Sequence, residues 1–186
     1  MVEIIFEAHG TSLDNEANKA SGYFDVDLSP LGEQQARELG QRYKNENFDA
    51  IFCSDLKRSY KTAELAFANR DFPIIKDAKL RECDYGNLTG HPSKEEVEKR
   101  RGDFIKLPFP NGESYEQTTE RMKSFLQDLI NRYDGKKVLI IGHRATQYGL
   151  DNLINGEDLH HAVVKSWQWQ PGWIYKLTKL GKEIEK

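Results

Sequence analysis

Two short apolar runs constrain this chain more than any other feature, because both end at a histidine that sits beside a glycine. The first is "VEIIFEAHG" at residues 2–10 and the second is "KKVLIIGH" at 136–143. Runs of this kind suit strands buried on both faces of a sheet and are far too short to cross a membrane. A strand buried on both faces needs helices above and below it, and helical patterns do alternate with the strand patterns here. In such sheets ligands bind at the carboxyl ends of the strands, where the two histidines stand. Glycine beside an imidazole lets the backbone approach closely and offers a carbonyl that fixes the ring tautomer. The opposite ring nitrogen is then free to act as a nucleophile.

The rest of the chain keeps the same alternation. Ser29 and Pro30 supply a cap and a first-turn proline, and Ala36, Leu39 and Tyr43 come next at helical spacing, predicting a helix over 30–46. "DAIFCS" at 49–54 reads as a second buried strand, leading into a helix opened by Ser54 and Asp55 with Leu56, Tyr60, Ala63 and Phe67 on one face. Ile74 and Ile75 suggest a third, short strand. Residues 86–112 are irregular, rich in glycine and proline, with a charged helix around 93–101. A long helix is expected over 113–133, then the strand ending at His143, another helix, and a last strand at 173–177. No repeat, low-complexity tract or linker divides residues 1–186, so the expectation is one α/β domain: a three-layer sandwich with a mostly parallel central sheet. Three strand ends then converge, bringing His9, residues 54–58, and His143 with Arg144 to one side.

Charge narrows the function. A formal net charge of −3 gives no global basic field for nucleic acid or an anionic membrane surface, so an anionic substrate must be held by local charge. Arg58, just past the second strand and beside a helix N-terminus, is placed for that task. Glu82, in "LRECDYGNLTG", lies between an apolar position and a glycine turn. Cys53 and Cys83 read as reduced, structural cysteines. His160 and His161 are adjacent and cannot readily share one ion, so neither a metal nor another cofactor is expected. The first residues lack a basic stretch ahead of the apolar run, and a cytoplasmic location is expected. Nothing in the pattern speaks to oligomeric state.

Five blocks, in order, resemble the histidine phosphatase superfamily, the phosphoglycerate mutase-like proteins. "HGTSLDNEANKASGYFDVDLSPLG" is similar to the family's first block, which opens on Arg-His-Gly and runs through a Leu-Ser-Pro-x-Gly stretch. "SDLKRSYKTAE", "LRECDYGNLTG", "PNGESYEQTTER" and "VLIIGHRA" resemble the remaining four. The resemblance implies a phosphoglycerate mutase-like fold and a phosphatase acting on a small phosphomonoester. His9 would carry the phosphoryl group as phosphohistidine. Arg58 and His143 would neutralise the non-bridging oxygens, Glu82 would protonate the leaving alcohol, and Asn15, Ser21 and Gly22 would line the phosphate pocket. It also implies two alternatives, a mutase that returns the phosphoryl group and a non-catalytic phosphate binder. Residues 86–112, with His91, Arg100 and Arg101, are read as a lid that selects the substrate, the alternative being that most of these basic residues form a solvated face.

The chain departs from the family motif at Ala8, where arginine is the rule, and at Thr11, where many members have glutamate. Loss of one preorganised donor to a phosphoryl group costs about 3 kcal/mol, or 10²–10³ in rate. The site is then weakened but active, or reduced to binding, or completed by another cation. Arg144, beside His143, is the candidate for that cation; the opposing reading turns it away to a carboxylate.

Overall fold

A computed structural model describes residues 1–90, 94–178 and 180 of the chain. The order of elements is β1 (Val2–Ala8), α1 (Leu13–Glu16), α2 (Pro30–Arg42), β2 (Ala50–Cys53), α3 (Lys57–Ala66) and β3 (Ile74–Lys76). Next come α4 (Lys94–Lys99), α5 (Tyr115–Tyr133), β4 (Lys137–Gly142), α6 (Arg144–Asn155), α7 (Leu159–Val164) and β5 (Trp173–Leu177). The strands form one sheet in the order β3-β2-β4-β1-β5. β1 to β4 are parallel, and β5 runs antiparallel against β1. The expected three-layer sandwich is present.

Strand alternation builds the layers. Ile4 and Phe6 of β1 pack on one face with Met122, Phe125, Leu126 and Leu129 of α5 and Leu150 of α6. Ile5 faces the other way, toward Leu39 of α2, Ala63 of α3 and Phe67 just past its end. A third apolar cluster joins Cys83, Val97, Phe104 and Phe109 to Tyr115, Tyr148 and Val163. The described part of 86–112 therefore shares a core with α5, α6 and α7 and contains short helices at Gly86–Leu88, α4 and Arg101–Phe104. No helix among the described residues is long and apolar enough to cross a membrane.

Two helix boundaries differ from expectation for physical reasons. α2 stops at Arg42, because the Tyr43 hydroxyl turns inward to donate to buried Glu7 at 2.6 Å and Phe48 folds back beside Phe67. α3 begins at Lys57, not at Ser54 or Asp55. Ser54 Oγ is committed to His143 at 2.7 Å, and both Asp55 oxygens accept from Arg81 at 2.6 Å. The first amide of α3 finds its acceptor elsewhere, donating to Asp25 Oδ1 at 2.7 Å. The two residues best suited to cap this helix have other work.

Candidate active site

The register of β1 against β4 pairs Ala8 with Gly142, so His9 and His143 leave the sheet side by side. The His9 amide donates to Gly142 O at 3.1 Å, and the two imidazole centroids lie 4.9 Å apart. His9 Nδ1 lies 2.7 Å from Gly10 O. A carbonyl only accepts, so Nδ1 bears the proton and Nε2 keeps its lone pair. The turn after His9 crosses the start of α2 at the closest possible range. A Cβ on Gly10 would stand 2.5 Å from Gly32 O, and one on Gly32 would stand 2.0 Å from Thr11 O. Glycine is required at both positions.

His143 is 1% exposed, and its Nε2 lies 2.7 Å from Ser54 Oγ. Burial, then the nearby Arg58 charge, pushes both rings away from protonation: His9 from 6.5 to about 3, His143 well below 6.5. His9 as a residue is only partly buried and lines the cavity of the candidate site. Both rings are neutral at pH 7.

Arg58 is 2% exposed. Its Nη1 donates to Phe24 O at 3.0 Å and its Nη2 to Gly22 O at 2.8 Å. The Gly22 carbonyl is presented from a backbone at φ +48, and a Cβ there would press on Thr89 and Tyr85. No ion pair joins Arg58 to a carboxylate among the described residues. Its charge is buried, and Glu82, Asp14 and Asp25 act on it through space without a contact pair among the described residues.

Glu82 enters from the segment before α4 and is 9% exposed. Its Oε1 accepts from the amides of Cys83 at 2.8 Å and Ala145 at 3.3 Å, and both of these bonds fall on one carboxylate oxygen. Arg121 of α5 fixes the backbone carrying it, donating to the carbonyls of Lys79, Arg81 and Glu82 at 2.7, 2.9 and 2.8 Å.

One cavity of about 540 Å³ joins these groups. His9, Arg58, Glu82, His143, Asn15, Ser21, Gly22 and Arg144 all line it, as does Ala8. Asn15 Oδ1 accepts from the Ser12 amide at 3.0 Å, so its amide N–H groups are the part left for a ligand. Arg144 meets both readings halfway. It faces the cavity, yet its Nη1 donates to Glu98 Oε1 at 2.7 Å and its guanidinium lies 4.8 Å from the Trp167 ring centroid.

The walls hold residues that sequence patterns did not single out, among them Tyr85, Lys94, Tyr148, Trp167 and Trp169. A signal existed for two of them, since all three tryptophans of the chain fall within residues 167–173. Arg101 lines the cavity, whereas Arg100 turns outward to Asp103 at 3.5 Å, and His91 lies outside the described residues. His160 and His161 sit on the exposed side of α7, where His161 pairs with Glu157 at 2.8 Å. Among the described residues no group of three or more His, Cys, Asp or Glu side chains is placed to hold a metal ion.

The two neutral rings carry a stability consequence. Below 6.5 the unfolded chain takes up protons that the folded rings refuse, so stability present above that pH is lost as pH falls toward about 3. The slope is on the order of 1 kcal/mol per pH unit for each ring. Urea midpoints measured from pH 7 down to 5 are expected to fall, and His9→Asn to flatten that slope by about one proton. Parallel slopes for the two proteins would contradict this.

The family model of the histidine phosphatase superfamily (branch 1) matches residues 4–172. A Bacillus subtilis protein named uncharacterized phosphatase PhoE is 36% identical over 158 residues, covering 85% of this chain and 80% of its own length. Phosphoserine phosphatase 1 of Hydrogenobacter thermophilus is 33% identical over 167 residues, covering 86% and 79%. A 2,3-bisphosphoglycerate-dependent phosphoglycerate mutase of Streptococcus equi subsp. zooepidemicus is 43% identical, covering 77% and 79%. Among solved structures, Bacillus stearothermophilus YhfR superposes with a TM-score of 0.82 at 22% identity, over 100% of this chain and 96% of that one. The fold, the neighbouring imidazoles and these matches agree, and the chain belongs to branch 1 of the histidine phosphatase superfamily.

Proposed function

We propose that this protein hydrolyses a small phosphomonoester through a phosphohistidine at His9. The observation that carries the reading is the buried Arg58, without an ion-pair partner among the described residues, beside two neutral imidazoles. A buried cation of this kind is costly until an anion meets it, and a phosphoryl dianion supplies the missing charge.

The chemistry is set by the lone pairs and protons. His9 Nε2 attacks phosphorus in line, the phosphorus–oxygen ester bond breaks, and Glu82 gives its proton to the departing alkoxide. Water then attacks the phosphohistidine, and Glu82 takes the water's proton. Phosphate leaves, and His9 and Glu82 are restored. Positioning and fixed charge supply most of the acceleration in such transfers. General acid help adds about 10²–10⁴-fold. No step calls on a metal. Lys94, Arg101 and Arg144 add local positive charge around the cavity. In a chain of net charge −3, that is where the field for an anionic substrate is built. Residues 86–112, which give Lys94, Val97, Glu98 and Arg101 to the wall, act in this reading as the substrate selector.

Hydrolysis is favoured because two relatives, from Bacillus subtilis and Hydrogenobacter thermophilus, are phosphatases by name. The streptococcal mutase relative supports a second reading, transfer back to a phosphoglycerate, visible as phosphoryl exchange without loss to water. Ala8 supports a third, a phosphate binder with impaired catalysis; the held carboxyl of Glu82 counts against it, since a binder needs no proton donor. The test is incubation with p-nitrophenyl phosphate and trapping of acid-labile phosphohistidine. Turnover with label on His9, lost in His9→Asn, is expected. Absence of both turnover and label would leave only the binder.

A further inference from the structure

Ser54 follows β2 directly and is fully buried, yet it does not cap the next helix. Its Oγ lies 2.7 Å from His143 Nε2 and accepts a long bond from the Leu56 amide at 3.4 Å. Its own amide is held by Ser59 Oγ at 3.0 Å, and that hydroxyl spends its proton on Ile141 O at 2.8 Å. The opposite nitrogen of the ring, His143 Nδ1, is buried with no hydrogen-bond partner among the described residues.

We propose that Ser54 is a positioning residue that fixes His143 as its Nδ1–H tautomer, making the ring a neutral donor to the anion bound beside His9. The case is one of proton accounting. A hydroxyl has one proton and two acceptor lone pairs. The Leu56 amide meets a lone pair, and among the described residues the Ser54 proton has one acceptor in reach, His143 Nε2. In the opposite tautomer Nε2–H would donate to Ser54 and leave the hydroxyl proton buried without an acceptor. A buried donor left without an acceptor keeps its full desolvation penalty, which disfavours that tautomer. The opposite tautomer would also leave a bare Nδ1 lone pair on the side of the ring that Ser54 does not occupy, where it would repel a phosphoryl oxygen. With Ser54 donating, Nδ1–H is set before substrate arrives, and the ring need not take up a proton beside Arg58.

The tautomer can be read without turnover. Long-range nitrogen–proton correlation spectra of the histidine-labelled protein are expected to show the Nδ1–H pattern for His143, assigned by its loss in His143→Asn. Ser54→Ala is expected to shift that pattern toward Nε2–H or a mixture, and Ser54→Thr, which keeps the hydroxyl, to retain it. Ser54→Ala should also lower kcat on p-nitrophenyl phosphate about 10–100-fold with KM little changed, and Ser54→Thr should recover most of the loss. An Nε2–H pattern in the parent protein overturns the proposal, even where Ser54→Ala does not fold. So does a Ser54→Ala protein with the tautomer unaltered. The kinetic arm rests on the phosphatase reading and the spectral arm does not. An inactive protein with Nδ1–H on His143 would therefore sink hydrolysis and keep the tautomer assignment.

Discussion

Arg58→Met is expected to lower turnover of p-nitrophenyl phosphate by about 10²–10³-fold. The same change is expected to abolish the thermal stabilisation that inorganic phosphate gives the parent protein. The guanidinium is 2% exposed, tied to Gly22 and Phe24 by two carbonyl bonds, and without a carboxylate partner among the described residues. Those bonds aim it but do not cancel its charge. Phosphate at a hundred times its Kd stabilises a folded protein by about 2.7 kcal/mol, and methionine keeps the volume of the site while removing the reason for the anion to enter. Arg144→Ala is the contrasting case. Arg144 already has Glu98 as a partner, and if it also reaches phosphate the loss is about 10-fold, the low end for a hydrogen bond to a charged group. Kinetics and melting curves with and without phosphate measure both. A phosphate-dependent melting shift unchanged in Arg58→Met would remove Arg58 from the anion site, and with it the reading of the cavity.

Legible in the sequence were the places where chemistry sits on the backbone itself. His9 and His143 end buried strands, and parallel register alone carries them together through the pairing of Ala8 with Gly142. The glycines of the family blocks are points of backbone contact, as Gly10 and Gly32 show. Hidden features depend on contacts between distant segments. α7, six residues from Leu159 to Val164, is too short to be stable by propensity and forms because its own Ala162 and Val163 are buried in the cluster with Phe104, Tyr115 and Tyr148. α3 starts later than its sequence suggests because Ser54 and Asp55 have cap chemistry but spend it on His143 and Arg81. Local preference yields there to the site, as is expected where function and folding compete for a residue. Glu7 gives no warning either. It is fully buried under Tyr43 and Arg42, and burial raises its carboxyl above its usual range despite both partners.

Arg121 shows the same hidden order, and its removal is expected to cost the fold heavily although it lies outside the cavity lining. Its guanidinium grips Glu113 with two bonds at 3.0 Å while donating to the carbonyls of Lys79, Arg81 and Glu82. Glu113 in turn accepts from the Asp84 amide at 3.1 Å and from the Tyr23 hydroxyl at 3.3 Å. Burial alone would raise the Glu113 carboxyl, but the bonds and charge of Arg121 outweigh it and hold the group below its usual value. Alanine at 121 leaves that carboxylate in place with its charge uncompensated and strips three backbone carbonyls of their donor. Breaking a buried pair in this way costs about 3–5 kcal/mol, and with the two side chains 17% and 24% exposed the loss expected is about 3 kcal/mol. For a chain of 186 residues that is a fall of roughly 6–12 °C in Tm. Arg121→Lys keeps the charge and loses the fork, so it should recover only part of the stability. Catalysis should fall with it, because the clamped segment carries Glu82, the proton donor of the proposed mechanism. The decisive measurement is a double-mutant cycle with Glu113→Ala. The second truncation should add far less than its effect alone, since the charge left stranded by the first is then gone. Additive losses would mean that Arg121 and Glu113 stabilise the chain independently, and the clamp on Glu82 would have to be sought elsewhere.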